Sequence, residues 1–280
     1  MKILVTGGSG YLGTYVRQFF SADDFSRRSN LDILNDQDVE RVQDYDAVIH
    51  LAAHFDKHPD GAPQCFQTNA DGTRNVLRNM RPGAAFIYAS TKDVYGSHVN
   101  PAEEVAENTS TEYCGQSAFE WSKLIGERYV EYYARANNLR ACIFRLSTVF
   151  ARPSDDNAPG LVTHYVESVK NRVPVRLPVG VDPVRDIMYV DDFSRACRAF
   201  IDSKREFGLY NLGGGRLNAV SLRDILKRVG AMIEIEPVIQ EDPAMPIPSP
   251  LRYVSDITRA HDELGWRPWI GIDDGLRVIL

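Results

Sequence analysis

The chain is short of the features that mark several large classes of protein. Its 280 residues include only four cysteines, Cys65, Cys114, Cys142 and Cys197. They are widely spaced and form no CxxC pair, so neither a disulfide framework nor a metal site is expected. Reduced, mostly buried thiols fit a cytoplasmic protein. Positive charge is not in excess: 32 lysines and arginines against 38 acids leave a formal net charge of -6. That balance gives no electrostatic footprint for nucleic acid or an anionic membrane, so an anionic ligand must be held by local devices. No apolar run is long enough to span a bilayer. The first residues pass straight into a strand, so no leader is expected. Internal repeats and low-complexity tracts are absent. What is there, 44% hydrophobic and 25% charged residues, is ordinary for a globular chain. Its length suits one large α/β domain with a smaller lobe.

Strand and helix patterns alternate along the first half. Lys2 to Thr6 reads as an apolar strand, Gly7 to Gly13 as a glycine turn and Tyr11 to Phe20 as helix. Asp23 to Arg28 is a second strand candidate, Asp36 to Val42 a helix and Ala47 to Ala52 a strand. Helical spacing returns from Thr68 to Met80 and from Ser117 to Asn137, with strands at Ala84 to Ala89 and Ala141 to Leu146. Such alternation predicts parallel βαβ units in a doubly wound α/β sheet. After Phe150, prolines break the pattern. A strand is expected at Gly208 to Leu212 and a helix from Ser221 to Val229, and Glu241 to Pro250 is read as a loop or extended strap.

The first strand meets Gly7-Gly8-Ser9-Gly10-Tyr11-Leu12-Gly13, in which Gly7, Gly10 and Gly13 give the spacing GxxGxxG. A tight turn and a close backbone approach to pyrophosphate both need residues without side chains. The helix that follows points free N–H groups and its dipole at the phosphates. Lying between a strand and a helix, the motif has the context of a dinucleotide site rather than of a glycine turn without a ligand. An acid at the end of the second strand would hold the ribose of NAD, whereas arginine accommodates the 2′-phosphate of NADP. The sequence there is Phe25-Ser26-Arg27-Arg28, preceded by Asp23 and Asp24. Guanidinium suits phosphate, so the cofactor is expected to be NADP or NAD, with NADP favoured. The plainer reading of Arg27 and Arg28 is a solvated loop pair.

Further motifs point the same way. They are Leu31-Asp32-Ile33, His50-Leu51-Ala52-Ala53, Asn69 to Leu77, Ser90-Thr91-Lys92-Asp93-Val94-Tyr95-Gly96, Ser122 to Glu127, Arg185 to Asp192, and Leu264-Gly265-Trp266-Arg267-Pro268. In this order they resemble the NAD-dependent epimerase/dehydratase family, the extended short-chain dehydrogenases, over nearly the whole chain. The resemblance implies a Rossmann-type sheet with a smaller C-terminal α/β substrate lobe. The dinucleotide-binding domain is expected over residues 1–150 plus roughly 185–212, and the substrate lobe over 151–184 and 213–280. It also implies that Tyr11 and Leu12 of the glycine turn meet the cofactor, that Asp32 and Ile33 sit against its adenine, and that Leu51, Ala52 and Ala53 line its path. Arg185 would contact the phosphates of an NDP-sugar substrate, and His54 would lie in the variable substrate loop. Thr148 falls where relatives often carry a substrate-binding asparagine. The short span before Leu31-Asp32-Ile33 looks like the family's 4-keto-sugar reductases, and a homodimer is the expected assembly.

Family members move a proton at the reacting oxygen with a tyrosine four residues before a lysine, a spacing that puts both on one helical face. Here Lys123 fills the lysine position, which also grips the nicotinamide ribose, and Thr91 fills the hydroxyl position. Four residues before Lys123 stands Phe119, which can neither give nor take a proton. Three explanations are open: an introduced tyrosine replacement, a natural enzyme using another acid–base such as Tyr113, Cys114 or His54, or a catalytically silent dinucleotide-binding relative. After Thr91 the family's 4,6-dehydratases place two acids, whereas this chain has Lys92-Asp93, so dehydration is disfavoured. Asp93 could act alone, or pair with Lys92 on a solvated surface. His54 and His58 are four apart, a spacing that could bind metal on a helix, but a sugar contact is the better reading of the two, and simple solvent exposure stands level with either. Tyr129, Tyr132 and Tyr133 fit core or subunit interface.

Overall fold

The computed structural model describes residues 1–100, 102–112, 115 and 117–280. The chain begins β1 (Ile3–Thr6), α1 (Gly13–Phe20), β2 (Asp23–Phe25), α2 (Asp36–Val39) and β3 (Ala47–His50). There follow α3 (Ala62–Cys65), a π-helical stretch (Phe66–Gly72), α4 (Thr73–Arg78), β4 (Ala85–Thr91), α5 (Ala118–Ala136), β5 (Arg140–Leu146) and β6 (Thr148–Phe150). The remainder is α6 (Leu161–Lys170), β7 (Val175–Pro178), β8 (Val184–Tyr189), α7 (Val190–Asp202), β9 (Phe207–Leu212), β10 (Ala219–Ser221), α8 (Leu222–Ile233), β11 (Ile239–Asp242), β12 (Arg252–Tyr253), α9 (Thr258–Leu264) and α10 (Ile272–Ile279).

Six strands pair in the order β2-β1-β3-β4-β5-β9, and every neighbour in that sheet is parallel. Parallel strands need helical crossovers, which cover both faces. Accordingly Val5, Val48, Ile49, Phe86, Ile87 and Ile143 are fully buried, and the apolar core divides into one cluster on each side of the sheet. The strand order reverses between β1 and β3. At such a switch point the loops diverge and leave a crevice at the carboxyl ends. Four strands form a second sheet, with β8 flanked by β10 and β12 and also paired to β6. β7 and β11 make a small third one.

The expected Rossmann-type α/β architecture is present, with local departures. The second strand stops at Phe25, because Ser26 and Ser29 bond each other's backbone and turn the chain into a 3-10 helix over Arg27–Ser29. The helix expected from Thr68 begins earlier, at Ala62, and widens through the π-helical stretch. Residues 185–189 were grouped with the nucleotide-binding part, yet β8 lies in the second sheet, while α7 and β9 return to the large one. Thr148 likewise sits in the second sheet, opposite Ile187. Within the proline-rich strap, Glu241 and Asp242 complete β11 against β7. α6 escapes a sequence reading because Pro159 and Pro174 flank it closely.

His50 closes β3 in full burial. Its Nδ1 meets Thr6 Oγ1 at 2.8 Å and its Nε2 meets Thr73 Oγ1 at 3.0 Å. Thr73 donates its own proton to Asn69 O at 2.6 Å, so Thr73 accepts from Nε2–H. Burial, helped by the charge of Lys123, pushes the imidazole down from 6.5 to about 3. The unfolded chain therefore binds a proton here that the fold refuses, and stability is lost as pH falls below about 6.5. His50→Asn is expected to flatten the acid limb of the stability curve by up to about 1.4 kcal/mol per pH unit between those values. Urea unfolding at stepped pH checks this, and an unchanged limb would contradict it.

Candidate functional site

The glycine turn sits at the switch point. Gly7 has φ +67°, and a Cβ there would lie 2.7 Å from the Ala52 nitrogen. A Cβ on Gly13 would lie 2.1 Å from the Gly7 carbonyl oxygen. The fold itself demands both glycines. Gly10 differs: its only close neighbour would be the Gly7 oxygen at 3.1 Å, and its φ is not left-handed. Its bareness is best explained by something approaching from outside the chain. α1 begins at Gly13 with no side-chain cap, and in its first turn Thr14 N–H already donates to Gly10 O and Val16 N–H to Leu12 O, both at 3.1 Å.

Beside this turn lies a groove of about 290 Å3. It is lined by Gly7, Ser9 and Gly10, by Phe25 to Arg28, by Leu31 to Leu34, by Leu51 to Ala53, and by Thr68 and Asn157. Four sequence motifs thus meet, and nine expected cofactor residues share one surface: Gly7, Gly10, Arg27, Arg28, Asp32, Ile33, Leu51, Ala52 and Ala53. Neither acid of β2 is part of the groove's lining. Asp23 accepts from Tyr45 Oη at 2.8 Å, and Asp24 accepts from Ser26 Oγ at 2.9 Å beside Arg17. Arg28 crosses the mouth, donating to Ser9 O at 3.1 Å and to Asp156 O. Tyr11, Leu12 and Gly13 do not line this surface. The Tyr11 ring turns instead to the second lobe, where its hydroxyl meets Thr163 Oγ1 at 2.7 Å and accepts from Ala151 N at 2.8 Å.

Thr91, Phe119 and Lys123 gather at the carboxyl end of β4. Ser117 caps α5, accepting from Phe119 N at 3.3 Å. Lys123 is buried, donates to Ala89 O at 2.8 Å and lies 5.0 Å from the Tyr88 ring centroid. Burial pushes its ammonium down to about 8, against the pull of Glu127. Phe119 packs edge-on to Phe55, centroids 4.7 Å apart. Thr91 Oγ1 accepts from Asp93 N at 3.2 Å.

Lys92 and Asp93 do pair, but inside the protein rather than on a solvated surface: their side chains are only 10% and 13% exposed. Asp93 also takes Lys57 Nζ at 2.9 Å, and the same nitrogen reaches Glu120 Oε1 at 2.8 Å. Burial alone would raise the Asp93 carboxyl, but Lys92 and Lys57 overcome it and hold it below its usual range. The sequence reading missed Lys57 and Glu120. Lys57 lies in an irregular loop, and Glu120 carries no motif, so only the fold could bring them together. Arg185, expected on substrate phosphates, here donates to the carbonyls of Val184, Pro250 and Leu251 at 2.7, 2.8 and 3.1 Å. His54 is half-buried, its backbone bonded both ways to Asn69. His58 caps a separate turn, so the pair does not share a helix. Among the described residues no acidic, histidine and cysteine cluster could hold a metal. Tyr113 and Cys114 lie outside the described residues.

Residues 3–213 match the model of the NAD dependent epimerase/dehydratase family. UDP-glucuronic acid decarboxylase 1 of Arabidopsis thaliana is 25% identical, covering 99% of this chain and 68% of that protein. dTDP-glucose 4,6-dehydratase of Mycobacterium tuberculosis is 27% identical, covering 100% of this chain and 92% of that one. The crystal structure of Thermus thermophilus UDP-glucose 4-epimerase with NAD superimposes with a TM-score of 0.83 at 25% identity, covering 100% and 97% of the two chains.

The two kinds of glycine are separable by experiment. Gly13→Ala is expected to lower the melting temperature markedly, because its methyl meets backbone. Gly10→Ala should fold nearly as well and lose most of its affinity for a pyridine dinucleotide. Thermal melts and fluorescence titration of the two variants check this; equal loss of stability in both would refute the assignment.

Proposed function

The chain belongs to the NAD-dependent epimerase/dehydratase family, and we propose that it is an enzyme that epimerises or reduces the C4 position of a sugar nucleotide with a bound nicotinamide dinucleotide. The observation that carries this reading is the groove, where four separated motifs share one surface. When bound, the dinucleotide supplies or takes up the hydride at the sugar carbon.

The chain's own residues fit the remaining tasks. Gly10 leaves room for a pyrophosphate beside the start of α1, whose dipole favours an anion there. Arg27 and Arg28 line the groove while Asp23 and Asp24 do not, which supports NADP over NAD. Lys123 is placed to hold a ribose hydroxyl, and Thr91 to donate to the sugar oxygen. Lys92 stands where a dehydratase needs an acid, which favours epimerisation or keto reduction over dehydration. Phe119 offers apolar contact and no proton, so the acid–base role falls to another group. Phe119 also gives the silent-binder reading its one support. A buried ammonium as costly as that of Lys123 argues the other way. Assembly as a homodimer through α5 is part of the proposal, since α5 exposes Trp121 and Tyr132.

Two experiments test this. Phe119→Tyr should raise turnover of its NDP-sugar about 10²–10⁴-fold, the usual worth of a positioned acid–base, measured by nicotinamide absorbance across a substrate panel. No turnover by either form, with dinucleotide still bound, would favour the silent binder. Arg27→Ala with Arg28→Ala should weaken NADP(H) much more than NAD(H) in calorimetry, and equal losses would remove the case for NADP.

A further inference from the structure

The loop between β6 and α6 is held firmly at its ends and lightly in its middle. Both ends are fastened to Tyr11. Thr163 spends its proton on Ala151 O at 2.7 Å, so Tyr11 Oη donates to Thr163 Oγ1 at 2.7 Å and accepts from Ala151 N at 2.8 Å. Gly160 lies against the same ring, close enough that a Cβ there would meet it at 2.8 Å. Ala151 and Thr163 are buried. Between these anchors Pro153, Asp155, Asp156, Ala158 and Pro159 are exposed, and Ser154 and Asn157 fold the middle into a turn closed by a single bridge.

The tip of that turn is fastened to one oxygen of the glycine turn. Asn157 Nδ2 donates to Ser9 O at 3.1 Å, and Arg28 Nη1 donates to the same oxygen at 3.1 Å. Arg28 Nη2 reaches on to Asp156 O. Ser9, Arg28 and Asn157 all line the groove. Three segments far apart in sequence are thus knotted at a single carbonyl. Arg28 is exposed, and each of these bonds runs to a neutral carbonyl that water can serve instead, so each is weak on its own. The tip can lift while the Tyr11 anchors stay in place. A guanidinium also has N–H donors to spare beyond the two in the knot, so the knot and a ligand phosphate can share Arg28.

We propose that residues 153–159 are a clasp on the cofactor groove, with Arg28 and Asn157 as its catch. The clasp opens to admit or release the dinucleotide and closes again with the dinucleotide inside. This rests on the proposed binding of a pyridine dinucleotide and goes beyond it, because it assigns the rate of cofactor exchange to a loop outside the nucleotide-binding motifs. A closed clasp lowers the fraction of time in which the groove is open. It therefore slows entry and exit alike and leaves the affinity nearly untouched.

Stopped-flow fluorescence with NADPH and with NADH measures both rates. Pro153→Gly combined with Pro159→Gly loosens both ends of the turn, and neither proline lines the groove. Association and dissociation should rise together, on the order of fivefold, with the dissociation constant about unchanged. Asn157→Ala removes one bond of the catch and should raise both rates by a similar factor. Arg28→Ala removes the catch and the phosphate partner at once, so NADPH should enter faster and yet bind more weakly. Without any variant, backbone amides of residues 154–158 should exchange hydrogen more slowly once NADPH is bound. Unchanged rates in the proline variant and in Asn157→Ala would overturn the clasp. A rise in dissociation alone would make Asn157 a plain ligand contact and overturn it too, as would amide exchange that ignores NADPH. In each of those cases the dinucleotide still binds and the proposed function stands. Failure of both dinucleotides to bind the unaltered protein would instead overturn that function, and the clasp with it.

Discussion

The bidentate pair between Arg145 on β5 and Glu127 on α5 fixes the register of α5 against the central strands. Nε and Nη2 donate to the two carboxylate oxygens at 3.0 and 2.7 Å, and both side chains are buried. Ser90 adds a third donor to Glu127 at 2.6 Å. A pair this desolvated contributes little net stability compared with apolar residues of the same shape, yet breaking it costs about 3–5 kcal/mol, because one charge is then stranded. Its value lies in register. Glu127, Lys123 and Phe119 recur at intervals of four along one face of α5. Glu127 holds Ser90, Lys123 holds Ala89, and Thr91 is the next residue of β4. A turn of α5 in either direction would break a buried ion pair before it moved the lysine. The network continues through Arg145, stacked on Tyr95, to Asn211 on β9, so one side of the centre is tied across three strands.

Local signals of the nucleotide-binding half were legible from sequence because they are spelled in consecutive residues. Gly7 to Gly13 must be glycine-rich for backbone to pass backbone, and β1, β3 and β4 are apolar throughout because both faces are covered. The nine groove residues came from four short motifs, each close to a strand end. The end of β2 was harder. A strand pattern cannot foretell that Ser26 and Ser29 will bond each other and end the sheet at Phe25, and the direction of Asp23 and Asp24 depends on Tyr45 and Ser26.

The charged centre was less legible for a physical reason. Lys57, Lys92, Asp93, Glu120 and Arg185 come from the loop after β3, the turn after β4, the start of α5 and a strand of the other sheet. No periodicity links them, and each alone reads as a solvated surface charge. The Lys92-Asp93 pair shows the limit well: adjacent opposite charges are usually exposed and weakly coupled, and only the packing of Tyr253 and Lys57 makes this pair interior. Arg185 shows the converse. Its motif was readable, but its immediate partners are backbone carbonyls of a proline-rich strap whose path no local rule specifies.

The chain after β6 meets the glycine turn itself, and its Asn157 lines the groove. Tyr11 and Tyr15 of the turn and α1 bond the backbone of Ala151 and Arg152, and Asn157 joins Arg28 on the Ser9 carbonyl. A side chain on Gly160 would strike the Tyr11 ring at 2.8 Å, so the second lobe must be bare where it crosses. Each neutral hydrogen bond here is worth about 1 kcal/mol, and none alone would hold the lobes in place. Together they set the angle between the glycine turn and the strands that carry Thr148 and Arg185. A ligand bridging groove and centre therefore meets a distance fixed by Tyr11 and Arg28 as much as by the sheet. Side chains outside the groove's lining, Tyr11 among them, thus set its shape as much as those within it.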